Sequence, residues 1–220
     1  LANVGIDEAA SRSRLVSINL DLLSDTLSRT DQTGSFLLNF FDDDSVPVSF
    51  GKVEPAYGSG WMWHGAIEGD RDSSAIFSVT DGVVVGTVRY NDRLFRINTA
   101  GNGIHRISEV DETLFKPCGT NSSHEVHATS TGTGSSGSRG AGGNPDVDIM
   151  IVYTTKAMNN QGGLNGMNSL INLAITETNN GYNNSQVNQR LNLVHSAEMV
   201  GYTEPTSFST MLSNLKGKND

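Results

Sequence analysis

Disulfide bonds and long hydrophobic runs are both missing from this sequence. Its 220 residues include one cysteine, Cys118, which cannot form a disulfide within the chain. The longest apolar stretches, such as residues 149–152, have the length of a strand and fall far short of the roughly 18 apolar residues that cross a bilayer. We therefore predict no membrane span, and Cys118 must act as a free thiol, a metal ligand or an intermolecular partner.

Positive charge is scarce as well. There are 15 Lys and Arg residues against 24 Asp and Glu residues, for a net charge of -9, and no stretch gathers the basic side chains. Nucleic-acid binding depends on clustered Lys and Arg, so we exclude nucleic acid as a partner. The composition, 36% hydrophobic and 18% charged, is not that of a disordered chain, and the length allows one large domain or two modest ones.

Short β-rich runs fill the first half of the chain. From residue 60 onward they are separated by Gly, Asp and Asn turn residues, which predicts an antiparallel meander over about 60–110. Asp81-Gly82 is a strong hairpin signal within it. Residues 13–55 alternate more loosely and indicate strands with a short helix.

A low-complexity stretch separates the two halves. Residues 128–144 have no side chain larger than Thr except Arg139 and Asn144, a composition typical of a flexible linker. The letters of residues 132–137 match G-x-G-x-x-G, but no predicted strand precedes them and no predicted helix follows. They therefore do not indicate a nucleotide site.

The second half alternates strand and helix. Residues 147–153 form a predicted strand, a Gly- and Asn-rich turn follows at 159–166, and an amphipathic helix then extends to about Tyr182. Its apolar stripe comprises Met167, Leu170, Ile171, Ala174, Ile175 and Thr178. A second alternating strand covers 191–196, including His195, before an unfinished helix. The predicted fold class is α+β overall, with a β-rich antiparallel unit followed by an incomplete α/β unit.

Cys118 is the leading candidate for chemistry. It lies in residues 115–119 (FKPCG), after the β-rich unit and before the linker. A thiolate is a strong zinc ligand and a catalytic zinc keeps one position open, so a tethered cysteine can fill that position and block the site. A buried structural cysteine is the other interpretation, although a core cysteine is expected inside a strand or helix.

The histidines do not form a zinc motif. A helix of the H-E-x-x-H type places its histidines four positions apart, whereas His124 and His127 are three apart in a Ser-rich stretch. We predict no metal site there. His64, His105 and His195 are interpreted as ordinary strand or surface residues.

Other chemistry has little support. No G-x-S-x-G stands between a strand and a helix, and Cys118 lacks the context of a catalytic cysteine-histidine pair. Residues Asp42, Asp43 and Asp44 offer oxygen ligands for a calcium cofactor, but the twelve-residue calcium loop is absent. A solvated turn is the simpler interpretation.

The pattern of the second half is that of a known family. A strand ending in V-Y-T precedes a helix with A-x-x-E-x-N-x-x-Y and a strand beginning L-x-L; the matched positions are Ala174, Glu177, Asn179, Tyr182, Leu191 and Leu193. The stretch 147–200 thereby resembles the opening of the catalytic domain of metzincin zinc peptidases. It is most similar to the reprolysin (adamalysin-like) group and to bacterial peptidyl-Asp metallopeptidases.

The first half resembles precursors of the same family. Residues 116–119 (KPCG) resemble a cysteine-switch peptide. The positions that resemble a bacterial prodomain are Trp63, Gly65, Gly82, Gly86 and residues 105–110. The resemblance implies a prodomain over 1–120, a linker over 121–146 and a truncated catalytic domain over 147–220. It also implies zinc, a protein or peptide substrate, contact between prodomain and catalytic domain, and secretion from a bacterium.

One element of the family is missing. Its zinc ligands and general base lie in H-E-x-x-H-x-x-G-x-x-H, which this sequence does not contain. We therefore transfer no catalytic residue, and Cys118 is the single metal ligand that the resemblance implies, as the inhibitory zinc ligand of the intact precursor.

The expected function is that of part of a secreted zinc metalloendopeptidase zymogen. The resemblance implies that a Cys-zinc latch keeps the precursor latent, that cleavage in the linker, for example after Arg139, releases it, and that this chain alone is inactive. Two alternatives stay open. One is a non-enzymatic secreted adhesion or inhibitory module joined to an unrelated α/β domain. The other is a degenerate metzincin-fold protein without zinc.

Overall fold

Eight strands of the first half form one antiparallel sheet. The computed structural model describes residues 7–25, 34–115 and 146–216. The strands of this sheet are β1 (Ala10–Ser17), β2 (Ser35–Phe41), β3 (Asp44–Pro55), β4 (Trp61–Ile67), β5 (Ser74–Thr80), β6 (Val83–Tyr90), β7 (Arg93–Gly101) and β8 (Ile104–Val110). A short helix, α1 (Leu20–Asp25), lies between β1 and β2 in the chain. The strand order is β1-β8-β7-β6-β5-β4-β3-β2, so the meander predicted over 60–110 is confirmed and extends back to residue 35.

Two-residue turns join the central strands. Asp81 and Gly82 have φ angles of 47° and 80°, the left-handed conformation of a type I′ hairpin turn. Asn91 and Asp92 repeat it with φ angles of 49° and 58°. Asp, Asn and Gly tolerate this conformation better than other residues, so the turn positions follow directly from the sequence.

The sheet curls around a single apolar core. Phe40 on β2 stacks on Phe95 of β7 with 4.1 Å between ring centroids, although five steps separate the two strands in the sheet order. Trp63 and Phe77, both buried, lie in the same core. Because side chains of distant strands meet inside, we call β1–β8 the curled sheet.

Two glycines make room for the aromatic core. A Cβ at Gly65 would lie 2.2 Å from Cη2 of Trp63, and a Cβ at Gly86 would lie 2.4 Å from Cδ1 of Phe77. Any larger residue at either position would collide with a ring or with backbone. Close packing of this kind accounts for the two glycines.

Ion pairs connect the first strand to the turn between β2 and β3. Arg12 on β1 contacts Asp43 with 2.9 Å between Nη1 and Oδ1. Asp44 accepts a hydrogen bond from the Tyr90 hydroxyl at 2.5 Å and pairs with Arg93. The interpretation of Asp42–Asp44 as a solvated turn is therefore wrong for Asp44, whose carboxylate is largely buried among cations.

The second half forms a parallel strand pair with helices. The elements of this part, called the β9–α4 segment (residues 146–216), are β9 (Asp146–Thr154), α2 (Thr155–Asn160), α3 (Leu164–Asn184), β10 (Arg190–Met199) and α4 (Phe208–Lys216). Strands β9 and β10 are parallel, as an α/β layout requires. Helix α2 was not predicted. The predicted alternation through His195 is wrong, because the register shifts between Leu193 and His195.

Helix α3 lies between the two sheets. Met167 and Ile171 pack with Leu193 of β10, whereas Leu173 packs with Val85 of the curled sheet. Leu170 of the predicted stripe packs beside Leu173, so the stripe divides between two surfaces, and Ala174 within it is exposed. None of the helices in the described part of the chain is long and apolar enough to span a membrane.

Candidate functional site

The leading sequence candidate lies outside the described residues. Cys118, the pair His124 and His127, and the linker 128–144 all fall between residues 116 and 145. The interpretations of these residues therefore stay predictions.

The remaining histidines do not lie together as a ligand set. The imidazole of His64 bonds Glu54 with 2.9 Å between Nε2 and Oε1, and burial keeps the pKa of His64 below its ordinary value despite that carboxylate. Nε2 of the buried His105 accepts a hydrogen bond from the Val84 amide at 3.1 Å, and burial lowers the pKa of His105 as well. His195 is exposed on β10. Both buried rings serve as neutral hydrogen-bonding groups.

A zinc ion has no ready site in this part of the molecule. Within residues 7–25, 34–115 and 146–216, no three His, Cys, Asp or Glu side chains are grouped so that they could hold a metal ion. The three acidic residues considered for calcium, Asp42 to Asp44, do not form a calcium site either, because Asp43 forms an ion pair with Arg12 and Asp44 forms one with Arg93. The described residues do not fit a zinc or calcium centre.

The structure instead brings together a contact between the curled sheet and α3. Its apolar centre consists of the buried Met62, Ile76 and Val85 from three neighbouring strands and Leu173 from the helix. Leu170, one turn earlier on α3, packs against the same group. These side chains hold the β9–α4 segment against one face of the curled sheet.

A loop of the curled sheet is held by two side-chain atoms of α3. The amide of Tyr57 donates to Oδ1 of Asn172 at 3.1 Å, and Nδ2 of Asn172 donates to the Tyr57 carbonyl at 3.4 Å. The Tyr57 hydroxyl donates to the Val194 carbonyl on β10 at 3.3 Å. One asparagine thus satisfies both backbone groups of a residue 115 positions away, and the phenol extends the contact to β10.

Further contacts occur along the helix. The hydroxyl of Thr87 on β6 donates to Oε1 of Glu177. Glu177 is one of the positions on which the family resemblance rests. At the start of α3, a Cβ on Gly162 would lie 2.8 Å from Cγ2 of Thr99 on β7. Only glycine allows so close an approach with a φ of 74°.

Part of this contact is polar and buried. The hydroxyls of Ser78 and Ser169 are fully buried and have no hydrogen-bond partner among the described residues. Ser78 pairs with Val85 and Met62 across its neighbouring strands, so its side chain is on the face that meets α3. The contact therefore mixes a small apolar centre with polar groups.

A second asparagine of α3 organises the helix's own segment. Nδ2 of Asn179 donates to the Leu191 carbonyl at 3.1 Å, and the Leu191 amide donates to Oδ1 of Asn179 at 2.8 Å. Asn172 and Asn179 stand seven residues, about two helical turns, apart. Sequence reasoning included Asn179 through the family pattern but did not predict Tyr57 or Asn172. The signal for Asn172 is a polar residue between the apolar Ile171 and Leu173.

Comparison with known proteins finds similarity to metallopeptidases. Residues 145–219 match the family described as metallo-peptidase family M12B, reprolysin-like. A peptidyl-Asp metalloendopeptidase of Xanthomonas campestris is 27% identical over 194 residues, which cover 81% of this chain and 46% of that protein. One from Stenotrophomonas maltophilia strain K279a is 27% identical over 186 residues, covering 77% of this chain and 44% of that protein.

The chain is therefore similar to bacterial metallopeptidases. The resemblance predicted from the sequence is confirmed: residues 145–219 correspond to a reprolysin-like M12B metallopeptidase domain, and the similarity to peptidyl-Asp metalloendopeptidases extends over most of the chain. The chain spans slightly less than half the length of the curated relatives it matches.

Proposed function

We propose that this chain is the prodomain and the beginning of the catalytic domain of a secreted zinc metalloendopeptidase made as a latent zymogen. The prodomain occupies residues 1–120, a linker 121–146 and the catalytic portion 147–220. The observation that carries the proposal is the contact between the curled sheet and α3, because α3 belongs to the stretch that matches the metallopeptidase family. An inhibitory unit must hold the enzyme directly, and this contact supports that role.

The proposed inhibitory group is the thiol of Cys118. It follows Phe115 by three residues, and three residues of extended chain span at most about 11 Å. Phe115 packs against Arg96, with 5.3 Å between Arg96 Cζ and the ring centroid. Arg96 in turn lines a cleft of about 390 Å³ together with Leu170 and Glu177 of α3. Phe115, the last described residue before Cys118, therefore lies close to the boundary of the two units.

The proposed substrates are proteins or peptides, as the family and the name of the bacterial relatives suggest. When bound in the whole protein, zinc would activate water and polarise the scissile carbonyl. Because the described residues do not fit a zinc centre, we assign them no catalytic step. Their proposed role is to support the catalytic domain and to dock the prodomain.

The test compares peptidase activity before and after cleavage of the linker. In the full-length precursor, Cys118→Ser should raise activity before cleavage toward that of the cleaved enzyme, because serine is a much poorer zinc ligand. Ser122→Ala, four residues further along, is the matched control and should stay latent. Equal latency of the wild type and Cys118→Ser would remove the latch.

A further inference from the structure

The loop between β3 and β4 has the features of a preformed docking element. Gly58 and Gly60 have φ angles of 78° and 98°, and a Cβ at Gly60 would lie 2.0 Å from the Val79 carbonyl oxygen. The bend at Gly60 is therefore set by the curled sheet itself, since only glycine fits there. Tyr57 is presented from this bend to α3 and β10.

A groove of the β9–α4 segment receives the loop. The cavity there has a volume of about 190 Å³ and is lined by Ala56 and Tyr57 from the loop and by Asn172, Ile175 and Leu193 from the other side. Asn172 is only 5% exposed, and its side-chain amide forms hydrogen bonds with the backbone N–H and carbonyl of Tyr57. Removing the loop would cost two paired hydrogen bonds at once, because both partners are polar groups inside a contact.

The apolar centre of the rest of the contact is small. Its buried residues are Met62, Ile76, Val85 and Leu173, and Leu170 packs against them. Contacts between units of one chain commonly resemble transient interfaces. Ser78 and Ser169 make its buried surface more polar still. A few polar anchors can therefore decide how long such a contact lasts.

We propose that the 56–60 loop and its groove hold the curled sheet on the β9–α4 segment after the connecting chain has been cut. Release of the sheet is then a separate, slower step than cleavage, and the Asn172–Tyr57 pair sets its rate. This rests on the proposed function, since it assumes that the first half is cut away from the second. It does not depend on Cys118.

The experiment measures dissociation, with no need for peptidase activity. A recognition site for a specific protease is placed within residues 128–144 of the full-length protein carrying Cys118→Ser, so that the Cys118 thiol does not contribute. The protein is immobilised through its catalytic half and cut, and loss of the first-half fragment is followed by biolayer interferometry. In the otherwise unaltered protein the fragment should stay bound well beyond the cleavage time.

Three variants locate the anchor. Asn172→Ala should accelerate dissociation roughly ten- to hundredfold, because two hydrogen bonds are lost and backbone groups of Tyr57 lose their partner. Tyr57→Phe removes one hydroxyl and should accelerate it about three- to tenfold. Asn183→Ala changes an exposed asparagine of the same helix and is the control.

The outcomes separate this inference from the proposed function. Immediate loss of the fragment on cutting, or equal rates for Asn172→Ala and Asn183→Ala, would overturn it. If Asn172→Ala fails to fold, Tyr57→Phe decides alone, since it leaves α3 unchanged. Latency that does not respond to Cys118→Ser, together with slow release that responds to Asn172→Ala, would reject the latch and keep the docking loop.

Discussion

Asn179 and Leu191 are joined by two hydrogen bonds that pair the side-chain amide of Asn179 with the backbone N–H and carbonyl of Leu191. The bonds measure 2.8 and 3.1 Å and connect α3 to the first residues of β10. The loop between the helix and the strand is thereby closed on a defined register, because the pairing fixes Leu191, the second residue of β10, against α3. Asn179 lies in the family pattern, and its geometry gives a structural reason for the residue at this position.

We expect Asn179→Ala to lower the free energy of unfolding by about 1–3 kcal/mol, because both backbone groups of Leu191 lose their partner. Asn179→Asp keeps the acceptor for the Leu191 amide and should lose less. Urea unfolding followed by circular dichroism measures both. Asn183→Ala serves as the control, and a loss for it as large as that of Asn179→Ala would contradict the assignment.

Substitution of the core glycine Gly86 tests the packing of the curled sheet. Gly86→Ala should destabilise the protein by about 1–3 kcal/mol, since its Cβ would meet the ring of Phe77. Gly181→Ala is the matched control: it lies in α3, has nothing within 4 Å of the added Cβ, and should stabilise by about 0.5–1 kcal/mol. Thermal unfolding of the two variants should shift in opposite directions. If Gly86→Ala raised the melting temperature as Gly181→Ala does, the space around Gly86 would not restrict the residue at this position.

The buried His105 predicts a loss of stability in mild acid. Burial lowers its pKa below the ordinary value of 6.5, so the folded state keeps the ring neutral and the unfolded state binds the proton first. The stabilisation is complete above that value and declines as the pH falls toward the folded pKa, by at most about 1.4 kcal/mol per pH unit for one group.

The measurement is urea unfolding at about pH 7.5 and about pH 5.5, which bracket the ordinary histidine range. His105→Gln should be less stable than the wild type at the higher pH and show a smaller further loss at the lower one. Some pH dependence should remain, because His64 also has a lowered pKa. The prediction fails if His105→Gln and the exposed-site variant His195→Ala change equally with pH.

Local chemistry explains which parts of the fold were predictable. The turn at Asp81-Gly82 and the strands around it were predicted because the left-handed turn and the β-rich runs depend on neighbouring residues. The extent of α3 was predicted from its repeat of apolar residues. Helix α2 was missed because its six residues, TKAMNN, carry no clear periodic signal.

The faces of α3 show where local patterns stopped being informative. Within the predicted stripe, Leu170 packs on the curled sheet beside Leu173, whereas Met167 and Ile171 face β10. A helical repeat indicates that a face is buried, not how many surfaces cover the helix. The number of covering surfaces depends on where a sheet from a distant part of the chain comes to rest.

Charge patterns had the same limit. Asp42, Asp43 and Asp44 are three consecutive residues of the same type. Asp44 forms an ion pair with Arg93 and accepts a hydrogen bond from Tyr90, whereas Asp42 is fully exposed. Their difference arises because β1, β6 and β7 bring cations and a phenol to one end of the turn. Adjacent identical residues cannot reveal this from their order alone.

The sequence by itself determined the meander over 60–110 and its turns, the extent of α3 and the family resemblance, because each depends on residues close together in the chain. It also singled out Cys118, whose role stays a prediction. Only the tertiary structure decided that α3 is covered on two sides and that Asn172 holds Tyr57. Asn172 and Tyr57 are 115 positions apart, and the energy of their contact depends on a distance that no local pattern encodes.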